Sequence, residues 1–395
     1  MKVTSDIIII GGGCSGLALA YALAKQQSHL CVNILEARPS YHNDKTWCFW
    51  SDEANEWTDL AQKKWESWSF HVENEQTITT QRSTVWKYYC LAAEDYYHFV
   101  QQHLKHNQNI KLFTNQQISS VTYADEANIF SETQPTAQVT THNDETYNAK
   151  LIIDTRNPLV FDSILYQSFY GLELKTKDLK SETVSLMHNM RSDDQGFRFN
   201  YILPLGNDRV LFEHTRFSKT AHSRKIMNDE CDEEIRRLNI SYRAIIREEY
   251  GCLPMGLTRI DPKYYQAGIA AGALRDASGF GFLRIQQWAK HIAKQLANAD
   301  KQQNLAAIMS YKPHETTWTQ KLDHLFLKTI KNDTSQTPQY FQALARHLKA
   351  DSLIRFLSDQ ASQQDLIDVI RALPKWPFLK QLVGLVQKKI DHALS

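Results

Sequence analysis

The sequence predicts an α/β protein: a Rossmann-type sheet, a mainly antiparallel β domain inserted into it, and a helical C-terminal region. Three observations carry that expectation. A β-branched run, Asp6-Ile7-Ile8-Ile9-Ile10, feeds directly into the glycine pattern Gly11-Gly12-Gly13-Cys14-Ser15-Gly16. The stretch from about residue 160 to 260 is dominated by strand-like segments and turn residues. Beyond residue 281 the apolar residues recur at helical spacing.

At the N-terminus, continuous β-branched residues suit a strand buried on both faces, as in a parallel sheet. Gly11, Gly13 and Gly16 fit G-x-G-x-x-G, and Leu17 to Leu23 supplies a small-residue helix able to lie close to the strand. A second strand, Cys31 to Leu35, ends at Glu36, about twenty residues beyond Gly16. Glycines let the backbone approach a pyrophosphate, the amides around Ser15 at the helix start attract its charge, and the acid takes the ribose hydroxyls. Two β-rich stretches, Ile118 to Tyr123 and Gln138 to Thr141, precede a late strand, Ala149 to Asp154. A β-meander between Rossmann halves, with a late strand ending in an acid, suits an FAD-binding fold better than a nicotinamide dehydrogenase. Asp154 is accordingly a candidate cofactor contact, with capping as its alternative role.

In the middle, Val184 to Met187, Phe197 to Leu203 and Val210 to Phe217 read as strands, the last two joined through Pro204-Leu205-Gly206-Asn207-Asp208 as a hairpin. Alternation puts Phe197, Phe199, Tyr201 and Leu203 on one face, able to meet Leu211, Glu213, Thr215 and Phe217. Glu213 is the odd member. It either sits near solvent or bonds a neighbouring strand, or it projects into an apolar cavity. In the second case burial raises its pKa, so it keeps a proton near neutral pH, and aromatic faces nearby stabilise a cation. That pairing suits protonation of an alkene.

Several segments in order then resemble the lycopene cyclases of the bacterial flavoprotein type: Lys45-Thr46-Trp47-Cys48-Phe49-Trp50, Tyr166-Gln167-Ser168-Phe169-Tyr170-Gly171, Phe212-Glu213-His214-Thr215 after Gly196 to Pro204, Ala271 to Phe280, and Leu353-Ile354-Arg355-Phe356. The resemblance implies reduced FAD, with NAD(P)H as its reductant, in a non-redox closure of the ψ-ends of lycopene to β-rings. It implies Glu213 as the general acid, and Gly272, Ser278 and Gly279 as a second flavin segment. Three positions depart from the family pattern: His214 replaces a second acid, His188 stands where an acid is frequent, and Arg275-Asp276-Ala277-Ser278 replaces a His-Pro-x-Thr stretch.

The charge balance, 45 basic against 44 acidic residues, gives no electrostatic support for nucleic-acid binding. Six dispersed cysteines fit neither a zinc pattern nor a disulfide framework, which leaves no metal expected and suits a cytoplasmic chain. No leader or spanning segment is expected. The tail is read as helices at Arg284 to Asn298, Leu353 to Leu357 and Leu366 to Leu373, a breaker at Pro374 to Phe378, and a helix from Leu379 to Ile390 carrying Lys380, Lys388 and Lys389. It forms ordinary packing, a lid, or a peripheral membrane contact admitting an apolar polyene. No protein partner is expected. The domains expected are a discontinuous FAD domain (1–60, 110–160, 262–300), a substrate domain (61–109, 161–261) and a helical region (301–395). Two competing functions remain at this level: an FAD and NAD(P)H-dependent monooxygenase or reductase acting on an apolar isoprenoid or aromatic substrate, and a flavin-binding protein without catalysis.

Overall fold

The computed structural model describes residues 3–123, 137–157, 162–179, 181–258, 265–298 and 317–383. The chain begins with β1 (Val3–Ile10), α1 (Cys14–Lys25) and β2 (Val32–Leu35). A small excursion follows: β3 (Thr46–Ser51), α2 (Glu56–Leu60), β4 (Lys63–Trp65), β5 (Ser67–Val72), β6 (Thr79–Arg82), β7 (Lys87–Ala92) and α3 (Ala93–Leu104). The chain returns through β8 (Ile110–Phe113), β9 (Ile118–Tyr123), β10 (Ala137–Thr141) and β11 (Thr146–Asp154). It then builds β12 (Ser163–Lys175), β13 (Val184–Asp193), β14 (Gly196–Gly206), β15 (Arg209–Ser218), α4 (Arg224–Arg237) and β16 (Ala244–Leu257). After β17 (Tyr265–Gln266) come α5 (Phe282–Ala297), α6 (Thr317–Asn332), α7 (Thr337–His347), α8 (Ala350–Leu357) and α9 (Gln363–Ala372).

The first sheet runs β8-β2-β1-β11-β10-β9, with β17 beside β11. Its β8, β2, β1 and β11 are parallel, and β10 and β9 form the antiparallel meander. Ile7 to Ile10 are at most 2% exposed, because α1, α3 and α5 cover one face and the meander's residues cluster with Ile8 and Ile10 on the other. The β-branched run is thus explained by burial on both sides.

The second sheet runs β16-β12-β15-β14-β13-β5-β6, and the third is β3-β7-β4. In the second, β14 and β15 form the expected hairpin, tighter than the sequence suggested. Asn207 and Asp208 both take left-handed φ, 52° and 59°, which is the two-residue turn whose twist matches paired strands. One face of this sheet packs on α4, and the other contributes to a core closed by α6 to α9.

The tail corrects one expectation. Residues 375–383 are helical, so Lys375-Trp376-Pro377 is a first helical turn rather than a break. Proline is tolerated there because first-turn amides have no helical acceptor. Lys388, Lys389 and Ile390 lie outside the described residues.

Candidate active site

A cavity of about 530 Å³ extends from the start of α1 to the inner face of the second sheet. At one end Gly13, Cys14, Ser15, Arg38, Thr155 and Asn157 line it. Gly13 caps α1 with no side-chain hydrogen bond, and a side chain added there would meet nothing within 4 Å. Uncapped amides facing open space at a helix N-terminus are a place for an anion. Gly16 serves differently: its added Cβ would fall 2.0 Å from the Gly11 carbonyl oxygen, so only glycine lets helix and turn touch. Gly11 combines a φ of 99° with close approach of Thr155 Oγ1.

Glu36 ends β2 as expected, although it shapes the site from behind the cavity wall. Its Oε2 accepts the Gly12 amide at 2.7 Å and its Oε1 accepts the Arg38 amide and Nε. Burial alone would raise its pKa, but the Arg38 and Gly12 donors bring it below the usual carboxylate range. Asp154 also lies behind the wall. Its carboxylate is held by Arg156 at 2.7 Å, and the following residues, Thr155 and Asn157, reach the cavity instead. Gly272 closes the 3-10 turn Gly268–Ala271 in the left-handed region, whereas Ser278 and Gly279 line the cavity. Ser278 Oγ and the Oε1 of neighbouring Gln167 are buried without a protein hydrogen-bond partner. Such atoms are normally satisfied, so two of them at a cavity wall await a polar ligand edge.

At the other end stand Glu213, Thr215, Phe199, Tyr201 and Phe217 from the hairpin, with Trp50 and Phe280 opposite and Phe341, Leu344, Leu353 and Phe356 from the helices. The register pairs Tyr201 with Glu213, and Phe199 with Thr215, so the aromatic stripe and the acid share the face inferred from alternation. Glu213 accepts a hydrogen bond from Thr215 Oγ1 at 2.9 Å. Its pKa is pushed up to about 8, first by burial and then by the neighbouring Glu249, against the opposing pull of Thr215, Lys45 and Arg247. Between the two readings of this residue, the geometry selects the buried acid.

His214 faces away, into α4. Its Nδ1 meets Asn200 Oδ1 at 2.8 Å and its Nε2 meets Glu230 Oε2 at 3.1 Å. Burial lowers its pKa despite Glu230. Where an acid was anticipated, this chain uses an imidazole to dock a helix. His188 stacks on His71 at 5.1 Å, and burial with that neighbour lowers its pKa to about 4. Arg275 is buried over the Phe356 ring and forms a two-nitrogen ion pair with Asp323, fastening the segment that carries Ser278 to α6.

Sequence reasoning missed Glu249. It lies on β16, lines the cavity, and its Oε2 accepts from Thr46 Oγ1 at 3.0 Å and Arg247 at 2.7 Å. The signal was available: Glu248 and Glu249 are consecutive in a strand, so alternation must turn one inward.

The family described as lycopene cyclase protein matches residues 6–383. The lycopene beta-cyclase of Pantoea ananas is 22% identical over 98% of this chain and 99% of its own, and that of Pseudescherichia vulneris is 24% identical over 70% of each. Among solved structures, a geranylgeranyl bacteriochlorophyll reductase-like protein from Thermoplasma acidophilum superposes with a TM-score of 0.60 at 15% identity, covering 98% of this chain and 100% of that one. A p-nitrophenol 4-monooxygenase from Pseudomonas putida gives 0.56 at 14% identity, covering 96% and 98%. A flavoprotein/dehydrogenase from Cytophaga hutchinsonii gives 0.57 at 10%, covering 98% and 99%. These likenesses establish a flavoprotein-type fold.

Proposed function

Because the chain belongs to the lycopene cyclase family, we propose that it closes the acyclic ends of lycopene, or of a similar polyene, to β-rings, an isomerisation with Glu213 as the general acid. The observation that carries this reading is a buried carboxyl, kept protonated near neutral pH, at the aromatic end of a cavity whose other end offers an uncapped helix N-terminus. Glu213 donates its proton to the terminal alkene. Phe199, Tyr201, Phe217 and Trp50 exclude water and present π-faces to the cation that results. The same packing holds the chain folded on itself for ring closure.

FAD fits the other end. The α1 amides and the open space at Gly13 would hold its diphosphate, Glu36 stands by the ribose position, and Ser278 and Gln167 offer polar atoms to the ring system. Bound in its reduced form, with NAD(P)H as reductant, FAD would supply negative charge beside the cationic centre. Contact with the cytoplasmic side of a membrane is part of the proposal, since such a polyene is insoluble in water. It is supported by exposed Trp376, Leu379, Leu382 and Val383 near Lys375 and Lys380. Among the described residues no helix is long and apolar enough to cross a membrane.

The test is to express the chain and Glu213→Gln in cells that accumulate lycopene and to resolve the pigments by chromatography with mass detection. Isomers of unchanged mass from the parent chain, lost in the variant at equal flavin loading, support the reading. A folded, flavin-loaded parent chain that leaves lycopene intact overturns it.

A further inference from the structure

The strand register brings a second carboxylate to the acid. In the second sheet β12 lies between β15 and β16, and Gly171 pairs with Glu213 on one side and Glu249 on the other. Directly paired residues point to the same face, so both glutamates rise beside a position that has no side chain. Their Cα atoms are two strand spacings apart, about 10 Å, a gap that two glutamate side chains leaning together can close. Glu249 does lean over it. A Cβ built on Gly171 would lie 3.0 Å from Glu249 Cγ and 3.4 Å from its Oε1. Both side-chain hydrogen bonds described for Glu249 arrive at Oε2, from Thr46 and Arg247, which leaves Oε1 on the side of Gly171 and the cavity.

Arg247 is itself held. It also donates to Thr46 Oγ1 and to Glu173 at 2.8 Å, and Glu173 is fully buried and paired with Arg209 as well. The two carboxyls are therefore unequal in a defined way. Glu249 has a guanidinium and a hydroxyl on one oxygen, whereas Glu213 has a single hydroxyl from Thr215 and lies where its charge is opposed. Two like acids in one site cannot both ionise cheaply, and here the stronger donors, Arg247 and Thr46, stand on Glu249.

We infer that Glu249 is the proton acceptor of the ring closure and forms with Glu213 a pair that holds one proton. This assignment rests on the cyclisation proposed above. The Glu213 carboxyl gives its proton to the terminal alkene, whose π-electrons form the new C–H bond. The π-electrons of the neighbouring alkene then form the ring C–C bond and move the positive charge onto a ring carbon. A C–H bond next to that carbon breaks, its electrons become the ring double bond, and its proton goes to the Glu249 carboxylate. Transfer of that proton across Gly171 to Glu213 restores the starting state. One proton enters and one leaves the substrate, and nothing is oxidised or reduced.

The experiment compares purified, FAD-loaded parent chain with Glu249→Gln on lycopene under reducing conditions, and follows both rate and product identity. Glutamine keeps the shape of glutamate and loses its basicity. The expected result is a fall in kcat of about 100-fold, in the range for removal of a general base, with KM and flavin affinity little changed. The cation, still formed, should leave by other routes, giving ring isomers or an alcohol heavier by one water. Thr46→Val removes one donor to Glu249 with little change of volume, and should give the same products as a smaller share. A structural role would lower flavin content or stability and leave the product single. Glu249→Gln that is folded, flavin-loaded and makes the parent product at the parent rate overturns the assignment. A parent chain that forms no ring overturns the underlying cyclase reading, and the assignment with it.

Discussion

Replacing Glu213 by glutamine should make the folded protein more stable, by an amount that grows with pH. The carboxyl has a folded pKa of about 8 against an ordinary value of 4.5. Between those values the folded chain keeps the proton and the unfolded chain releases it. The stability that the proton confers is thus fully present below pH 4.5 and drains away as pH rises toward 8. Each pH unit in that window removes about 1.4 kcal/mol, so the carboxyl costs roughly 3 kcal/mol at pH 7 relative to a neutral isostere. Glutamine does not titrate and escapes this slope. For a chain of 395 residues the unfolding entropy converts roughly 3 kcal/mol into a rise of about 4 °C in Tm. The assay is thermal unfolding of parent and Glu213→Gln from pH 5 to pH 8 at equal flavin loading. The variant's advantage should be small at pH 5 and widen steadily. A difference that is constant with pH, or that narrows, refutes the conclusion that this carboxyl is folded in its protonated form.

Activity should follow the same group: kcat/KM of the parent chain should be level through neutral pH and fall about tenfold per unit above pH 8 as Glu213 ionises, and a profile still flat at pH 9.5 would contradict that. Gly16→Val should abolish FAD binding, measured by fluorescence titration, because the side chain would enter the space of the Gly11 carbonyl oxygen. His214→Ala should cost about 1–3 kcal/mol by removing the imidazole bonds to Asn200 Oδ1 and Glu230 Oε2, although Glu234 still holds Asn200 and Arg216 still holds Glu230. Its kcat, measured on the folded fraction, should change much less than that of Glu213→Gln. Asp323→Ala removes both hydrogen bonds that buried Arg275 donates to Asp323, leaving it the more distant Asp359, and should destabilise the chain by about 3–5 kcal/mol in a denaturant titration, with weakened flavin binding because the Ser278 segment comes loose.

The end of the cavity at the start of α1 was legible because its constraints are local. Gly11, Gly13, Gly16 and Glu36 are fixed by two strands, one turn and one helix, and Gly13 lines the cavity while Glu36 stands behind its wall. The residues at the flavin-side wall were harder to judge. Asp154 was one residue away from the positions that reach the cavity, since the strand end turns Thr155 and Asn157 inward while Asp154 pairs with Arg156. Alternation read Glu213 and the Phe199-Tyr201 stripe onto one face correctly, because that rule needs only a strand. Glu249 escaped because its importance depends on which strand lies between β15 and β16, and on the residue found there. Register across three strands is a long-range property. Likewise, His214 could be read as facing away from Glu213, but nothing local announced Glu230 of α4 as its partner.

The measurement closest to the central claim is a single turnover in heavy water. Parent chain and Glu213→Gln, loaded with reduced FAD and equilibrated in D₂O, would be mixed with lycopene and the products weighed by mass spectrometry. The parent chain should yield cyclic product carrying one deuterium in the first ring formed, delivered from the Glu213 carboxyl, and Glu213→Gln should yield none at equal flavin content. Labelled rings formed by Glu213→Gln at the parent rate would show that another group supplies the proton and that the acid has been wrongly placed.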